Sequence, residues 1–113
     1  MHSSDPVIIG KHIDGKPIYR RTFTGYAVQS NTVILLSSSY IETIINAYGS
    51  VNSTYNRKWN IPFYSPETAY HNIWALNTET GIHKGQLYLQ FGPNYNNTMP
   101  FCFTIEYTLS TDS

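Results

Sequence analysis

The sequence predicts an all-β fold, a small antiparallel β-sandwich or jelly roll of about seven or eight strands, in a single domain spanning residues 1–113. Three observations carry that expectation. Aromatic residues are plentiful at 15% and charged residues scarce at 12%, a balance suited to pleated sheets, which favour aromatic and β-branched side chains. Short apolar runs alternate with period two and are separated by turn residues. Only Tyr40–Val51 has spacing that also fits a helix. At 113 residues the chain supports one core, because two domains would each fall near the size at which a core barely offsets chain entropy.

The first element is the hairpin "HIDGKPIYRRTF", His12–Phe23. Asp14-Gly15 is a preferred dipeptide for a type I′ turn, where both central residues need positive φ. Pro17 has no N–H to donate, so it belongs at the first residue of the second strand or on an edge. Tyr19, Arg21 and Phe23 then share one face, and Ile18, Arg20 and Thr22 the other. Residues 1–5 are expected to form a flexible, partly vector-derived N-terminal segment.

"NTVILLSSS" is apolar on both faces and predicts a central strand covered from two sides. "YIETIINAYGSV" places Ile41, Ile44, Ile45 and Tyr48 at spacings that fit helix or strand; its β-branched content and Gly49 favour strand. "RKWNIPFYS" puts Arg57, Trp59, Ile61 and Phe63 on one face, with Pro62 marking an edge or bulge. In "AYHNIWALN", Tyr70, Asn72, Trp74 and Leu76 oppose His71, Ile73 and Ala75. "GQLYLQFG" alternates Leu87, Leu89 and Phe91 inward with Gln86, Tyr88 and Gln90 outward. The last strand, "FCFTIEYTLST", sends Phe101, Phe103, Ile105, Tyr107 and Leu109 one way and Cys102, Thr104, Glu106 and Thr108 the other.

Seven Lys and Arg balance seven Asp and Glu, and neither sign forms a block, so nucleic acid is not an expected partner. No apolar run approaches a membrane span and no signal-peptide pattern opens the chain, so a soluble domain without membrane insertion is expected. Cys102, the one cysteine, can form no intrachain disulfide and is expected to be an inert packed thiol.

Catalysis needs convergent titratable groups, yet Asp14, Glu42, Glu67, Glu79 and Glu106 are scattered along the chain. A glycosidase would need two of them to face each other across a cleft. Ser37-Ser38-Ser39 lacks a Gly-x-Ser-x-Gly elbow, and His12, His71 and His83 lack metal-ligand spacing. No enzyme activity, cofactor or metal is therefore expected.

The aromatics are more informative. Trp59, Tyr64, Tyr70, Trp74, Tyr88 and Tyr95 lie among Asn, Thr and Gln, and a saccharide site needs flat apolar faces beside amides and hydroxyls. A sandwich core and its rim have the same composition. Trp59 and Trp74 are expected to be mainly core, while Tyr64, Tyr70, Tyr95 and the amides of Asn72, Asn94, Asn96 and Asn97 are expected to be exposed. If the strands around Trp59 and Trp74 pair as a hairpin, Arg57, Trp59, Glu67, His71 and Trp74 converge; the alternative is a partly buried ion pair beside tryptophans. The candidate saccharide-binding residues are Arg57, Trp59, Tyr64, Glu67, Tyr70, His71, Asn72, Trp74, Asn94 and Tyr95.

"VIIGKHIDGKPIYRRTF" resembles a segment that opens C-terminal domains of tail-fibre, baseplate and minor structural proteins from phages and prophages of Gram-positive bacteria. Gly10, Asp14, Gly15, Lys16, Pro17, Ile18, Tyr19 and Arg20 match its pattern. "FTIEYTLSTD" is similar to the closing strand of those domains, through Tyr107, Thr108, Thr111 and Asp112. The span from about Tyr26 to Pro100 carries no resemblance. What the resemblance implies is a receptor-binding head at the phage tail tip: a β-sandwich, usually a homotrimer joined to an upstream fibre or neck region. It recognises a polysaccharide on the host cell surface non-covalently, for adsorption. The hairpin and last strand would then be scaffold, with recognition carried by the variable middle. The apolar faces of "TVILL" are a second, weaker pointer to association between copies. Two other classes fit the same residues: a monomeric carbohydrate-binding module of a cell-wall hydrolase, and a structural tail or capsid domain that binds no sugar.

Overall fold

The computed structural model describes residues 2–28, 31–37, 41–52, 58–62, 72–77, 86–92, 95 and 97–110. Its elements are all strands: β1 (His2–Ser3), β2 (Val7–Lys11), β3 (Pro17–Tyr26), β4 (Thr32–Ser37), β5 (Ile41–Asn52), β6 (Lys58–Ile61), β7 (Asn72–Asn77), β8 (Gln86–Phe91) and β9 (Pro100–Leu109). They form two antiparallel sheets. One has the order β1-β3-β9-β5-β6, with β2 also pairing β3; the other is β4-β8-β7. The chain is a small β-sandwich.

The hairpin forms at the expected place with a different turn. The Gly15 N–H donates to the His12 carbonyl at 2.8 Å, so Ile13 and Asp14 are the central residues and Gly15 follows them at φ 86°. This spreads the connection over residues 12–16, with Lys11 opposite Pro17. Glycine suits that last position because a Cβ disfavours positive φ. The Asp14 Oδ1 accepts the Lys16 N–H at 3.0 Å, a local side-chain bond that favours a turn over continued strand. Pro17 opens β3, where its missing N–H is harmless.

Strand β9 is the axis of the larger sheet. It pairs with β3 from Tyr19↔Tyr107 to Tyr26↔Pro100 and with β5 from Ile41↔Leu109 to Val51↔Phe101. Its inner face buries Phe101, Phe103, Ile105 and Tyr107. Across the interface lie Leu87, Leu89 and Phe91 of β8, as the alternation in "GQLYLQFG" predicts. Phe91 meets Phe101 with ring centroids 6.0 Å apart, and Trp74 meets Phe103 at 6.5 Å. Each such side chain contributes about 1.5–3 kcal/mol by leaving water. Gly49 of β5 lets the sheet close here. A Cβ at that position would sit 2.8 Å from the Phe103 Cα and closer still to the Cys102 carbonyl oxygen.

The outer face of β9 is polar but tightly packed in its middle. Thr104 and Thr108 are buried there; Thr104 lies between Thr22 of β3 and Tyr48 of β5, and Thr108 lies opposite Thr43 of β5. The Thr104 and Thr22 hydroxyls are 2.9 Å apart. Arg20 lies opposite Glu106 in the ladder, and the two form an ion pair at 3.0 Å.

The ambiguous segment is a strand over its described part, β5, as its β-branched content and Gly49 favour. Three expectations need correction. The "NTVILLSSS" strand is not central: β4 pairs with β8 alone among the described residues, and Ile34 on its outer side is exposed. Apolar residues on both faces indicate what a strand is made of, and they leave its place in the sheet open. His2 and Ser3 do not form part of a loose segment, since they pair with Thr24 and Phe23. Cys102 is exposed rather than packed, because the alternation that buries Phe101 and Phe103 turns the residue between them outward.

Candidate functional site

Strands β6 and β7 do not pair with each other. Strand β6 joins the larger sheet through β5, whereas β7 joins the smaller one through β8. Pro62 follows β6 directly and offers no N–H to prolong the ladder, and the chain changes sheets beyond it. Among the described residues, Trp59 and Trp74 are therefore not brought together by a β6–β7 hairpin. Of the ten candidates, Arg57, Tyr64, Glu67, Tyr70, His71 and Asn94 lie outside the described residues.

The other four are Trp59, Asn72, Trp74 and Tyr95. Trp59 and Trp74 are half-buried and pack against the core, in agreement with the sequence reading. Asn72 and Tyr95 are each only 1% exposed, which overturns the expectation that both face solvent. The Asn72 Nδ2 donates to the Tyr95 hydroxyl at 2.8 Å. Trp59 meets the Tyr95 ring edge-on at 5.9 Å, and Phe91 meets it at 5.0 Å with planes 61° apart. Edge-to-face pairing of this kind suits the ring quadrupoles.

Trp59, Asn72 and Tyr95 are thus brought together, but as an internal clasp. The clasp joins the β6 edge of one sheet to β7 and β8 of the other. Burying an amide and a phenol is tolerable only when their polar atoms are paired, and here they pair with each other. Trp74 sits two residues along the same side of β7, against Phe103.

Two of the described carboxylates, Glu42 and Glu106, are held by basic residues distant in the sequence. The Glu106 carboxylate pairs with Arg20, and Glu42 pairs with the Lys16 Nζ at 2.6 Å. The Lys16 N–H holds the Asp14 carboxyl below its ordinary value against the opposing effect of desolvation, with the charges of His12 and Lys16 adding to the lowering. Burial pushes the Tyr107 phenol upward, opposed by the Arg21 guanidinium. Among the described residues no group of three His, Cys, Asp or Glu is placed to hold a metal ion.

An open cleft with a cavity volume of about 510 Å³ lies elsewhere, lined by His2, Thr24, Gly25, Tyr26, Pro100 and Phe101. It opens beside the β1/β3 edge, three strands across the sheet from Trp59. Tyr26 is 62% exposed there. Tyr48, on β5, is the other exposed tyrosine of the larger sheet, at 43%. Sequence reasoning missed both residues. The signal available was their place in the outward alternation of "TFTGY" and "INAYGSV".

The chain matches no family model, no curated protein and no solved structure.

Proposed function

We propose that this domain is the receptor-binding head of a phage tail-fibre or baseplate protein, which binds a host cell-wall polysaccharide non-covalently and acts at the virion tail tip. The observation that supports this reading best joins the two segments of family resemblance. The hairpin and the closing strand lie at opposite ends of the sequence, yet β3 and β9 are direct neighbours from Tyr19↔Tyr107 to Tyr26↔Pro100. A shared scaffold motif has this form: two distant segments that specify one continuous piece of sheet, with variable chain between them.

On this reading the head is a homotrimer and binds without catalysis. Val7 and Ile8 are 59% and 60% exposed on β2, an edge strand that pairs only with β3 among the described residues. Exposed apolar side chains on an edge favour a protein neighbour. Three weak sites on one fibre tip would gain strength through avidity.

Light-scattering mass of the purified chain, followed by sedimentation with intact Gram-positive cells, tests the proposal. A trimer that co-sediments with cells supports it. A monomer that binds cells points instead to an attached carbohydrate-binding module, and a trimer that binds no strain points to a structural tail domain.

A further inference from the structure

The outer face of the six-stranded sheet has an unusual makeup between its two exposed tyrosines. Register fixes the layout: Thr24 lies opposite Cys102, Cys102 opposite Ser50, and Ser50 opposite Asn60. The next row outward carries Tyr26 opposite Pro100, and the row on the other side carries Thr22, Thr104 and Tyr48. Directly opposed residues share a face, so this is one continuous array of hydroxyls, an amide and a thiol with a ring at either end. His2 opens the central row opposite Thr24, and Lys58 stands at the far corner, two residues from Asn60 and opposite Asn52; the residues between them carry no charge. The nearest cation along β3, Arg20, is paired with Glu106.

Tyr26 and Tyr48 stand two strands apart and offset by four residues along the ladder, which places them about 16 Å apart from strand spacing and rise. The cleft described above opens at the Tyr26 end, where Thr24 and Pro100 line it.

We propose that this face is a platform for an extended, uncharged polysaccharide, with one sugar ring seated against Tyr26 and a later ring of the same chain against Tyr48. This rests on the saccharide-binding reading above and names its site. The chemistry of the face selects the occupant. Ring faces on tyrosine take the apolar C–H surface of a sugar, and the hydroxyls of Thr24 and Ser50 with the Asn60 amide exchange hydrogen bonds with sugar hydroxyls, while the Thr22 and Thr104 hydroxyls bond each other beneath. A nucleic acid would require cations along its phosphates. A stable protein contact would require a contiguous apolar centre, whereas here the polar array separates the two rings. The separation of the rings spans more than one sugar unit, which suits an extended polymer.

Cys102 lies in the middle of the array, is exposed and is the sole thiol, so it can report occupancy directly. The test uses polysaccharide extracted from the walls of a panel of Gram-positive bacteria. It compares the wild-type chain with Tyr26→Ala, Tyr48→Thr and the control Ile73→Ala, whose side chain is exposed on the other sheet. Thermal melts confirm that each variant is folded. Each tyrosine variant is expected to weaken binding about tenfold or more, and Ile73→Ala to leave it unchanged. Saturating wall polysaccharide is expected to slow alkylation of Cys102 by N-ethylmaleimide several-fold. Undiminished binding by both tyrosine variants together with an unchanged alkylation rate overturns the site and leaves the saccharide reading standing. Absence of binding by the wild type across the panel overturns both. A change of oligomeric mass in the tyrosine variants, with binding retained, overturns the proposal by making this face a protein interface.

Discussion

The Asn72 amide donates to the Tyr95 hydroxyl at 2.8 Å, inside a cluster where both residues are almost fully removed from solvent. A pair that looks from sequence like ligand-binding chemistry is a bond that fastens β7 to the chain after β8. Tyr95→Phe keeps the ring contacts and removes this acceptor, so one buried Asn72 N–H loses its partner. The expected destabilisation is about 1–3 kcal/mol, read from urea unfolding, with polysaccharide affinity unchanged. Weakened binding at unchanged stability would return Tyr95 to the site.

Gly49→Ala is expected to be among the most damaging single substitutions in the chain. The added methyl would meet backbone of β9, the Phe103 Cα and the Cys102 carbonyl, and neither can rotate away. We expect a loss of about 3 kcal/mol or more, above the usual overpacking range at its upper end. Gly10→Ala meets nothing within 4 Å and should change stability little. Gly15→Ala, also in open space but at φ +86°, should lose about 1–2 kcal/mol from backbone strain alone. Thermal unfolding of the three variants side by side checks the order.

The pH dependence should have two limbs with opposite causes. Asp14 has a folded-state pKa below its ordinary value of 3.8, so the unfolded chain binds its proton first. Its contribution is present above that value and is lost as pH falls through the folded pKa. Tyr107 has a folded-state pKa above 10.0, so its protonated form is favoured by folding. Stability is therefore full below pH 10.0 and declines as pH rises through the folded value. Tyr107→Phe should flatten the alkaline limb and Asp14→Asn the acid one, each measured as unfolding free energy against pH.

Cys102 should react in the native protein. Its exposure predicts stoichiometric alkylation by N-ethylmaleimide without denaturant, at a rate within a few-fold of that of the unfolded chain. A native thiol that reacts only after unfolding would contradict its position on the outer face.

The parts of the fold legible in the sequence are those governed by local alternation. Leu87, Leu89 and Phe91 point inward as their spacing requires, and so do Phe101, Phe103, Ile105 and Tyr107. The same alternation carried the position of Cys102, but its two aromatic neighbours suggested burial in their company. Pairing between distant strands was not legible. Strand β4 has apolar residues on both faces and still lies at an edge among the described residues, and β6 and β7 follow each other in sequence yet enter different sheets. Asn72 and Tyr95 were misread for a related reason: an amide is expected to face water unless a partner is known, and its partner is 23 residues away. Tyr26 and Tyr48 gain meaning as a pair only once β9 is known to lie between β3 and β5.

Isothermal titration of the purified domain with wall polysaccharide from Gram-positive bacteria, with reducing ends assayed in the same samples, tests the central claim most directly. The account predicts saturable binding with no increase in reducing ends. Absence of binding to every polysaccharide tried, or reducing ends that accumulate with time, would contradict it.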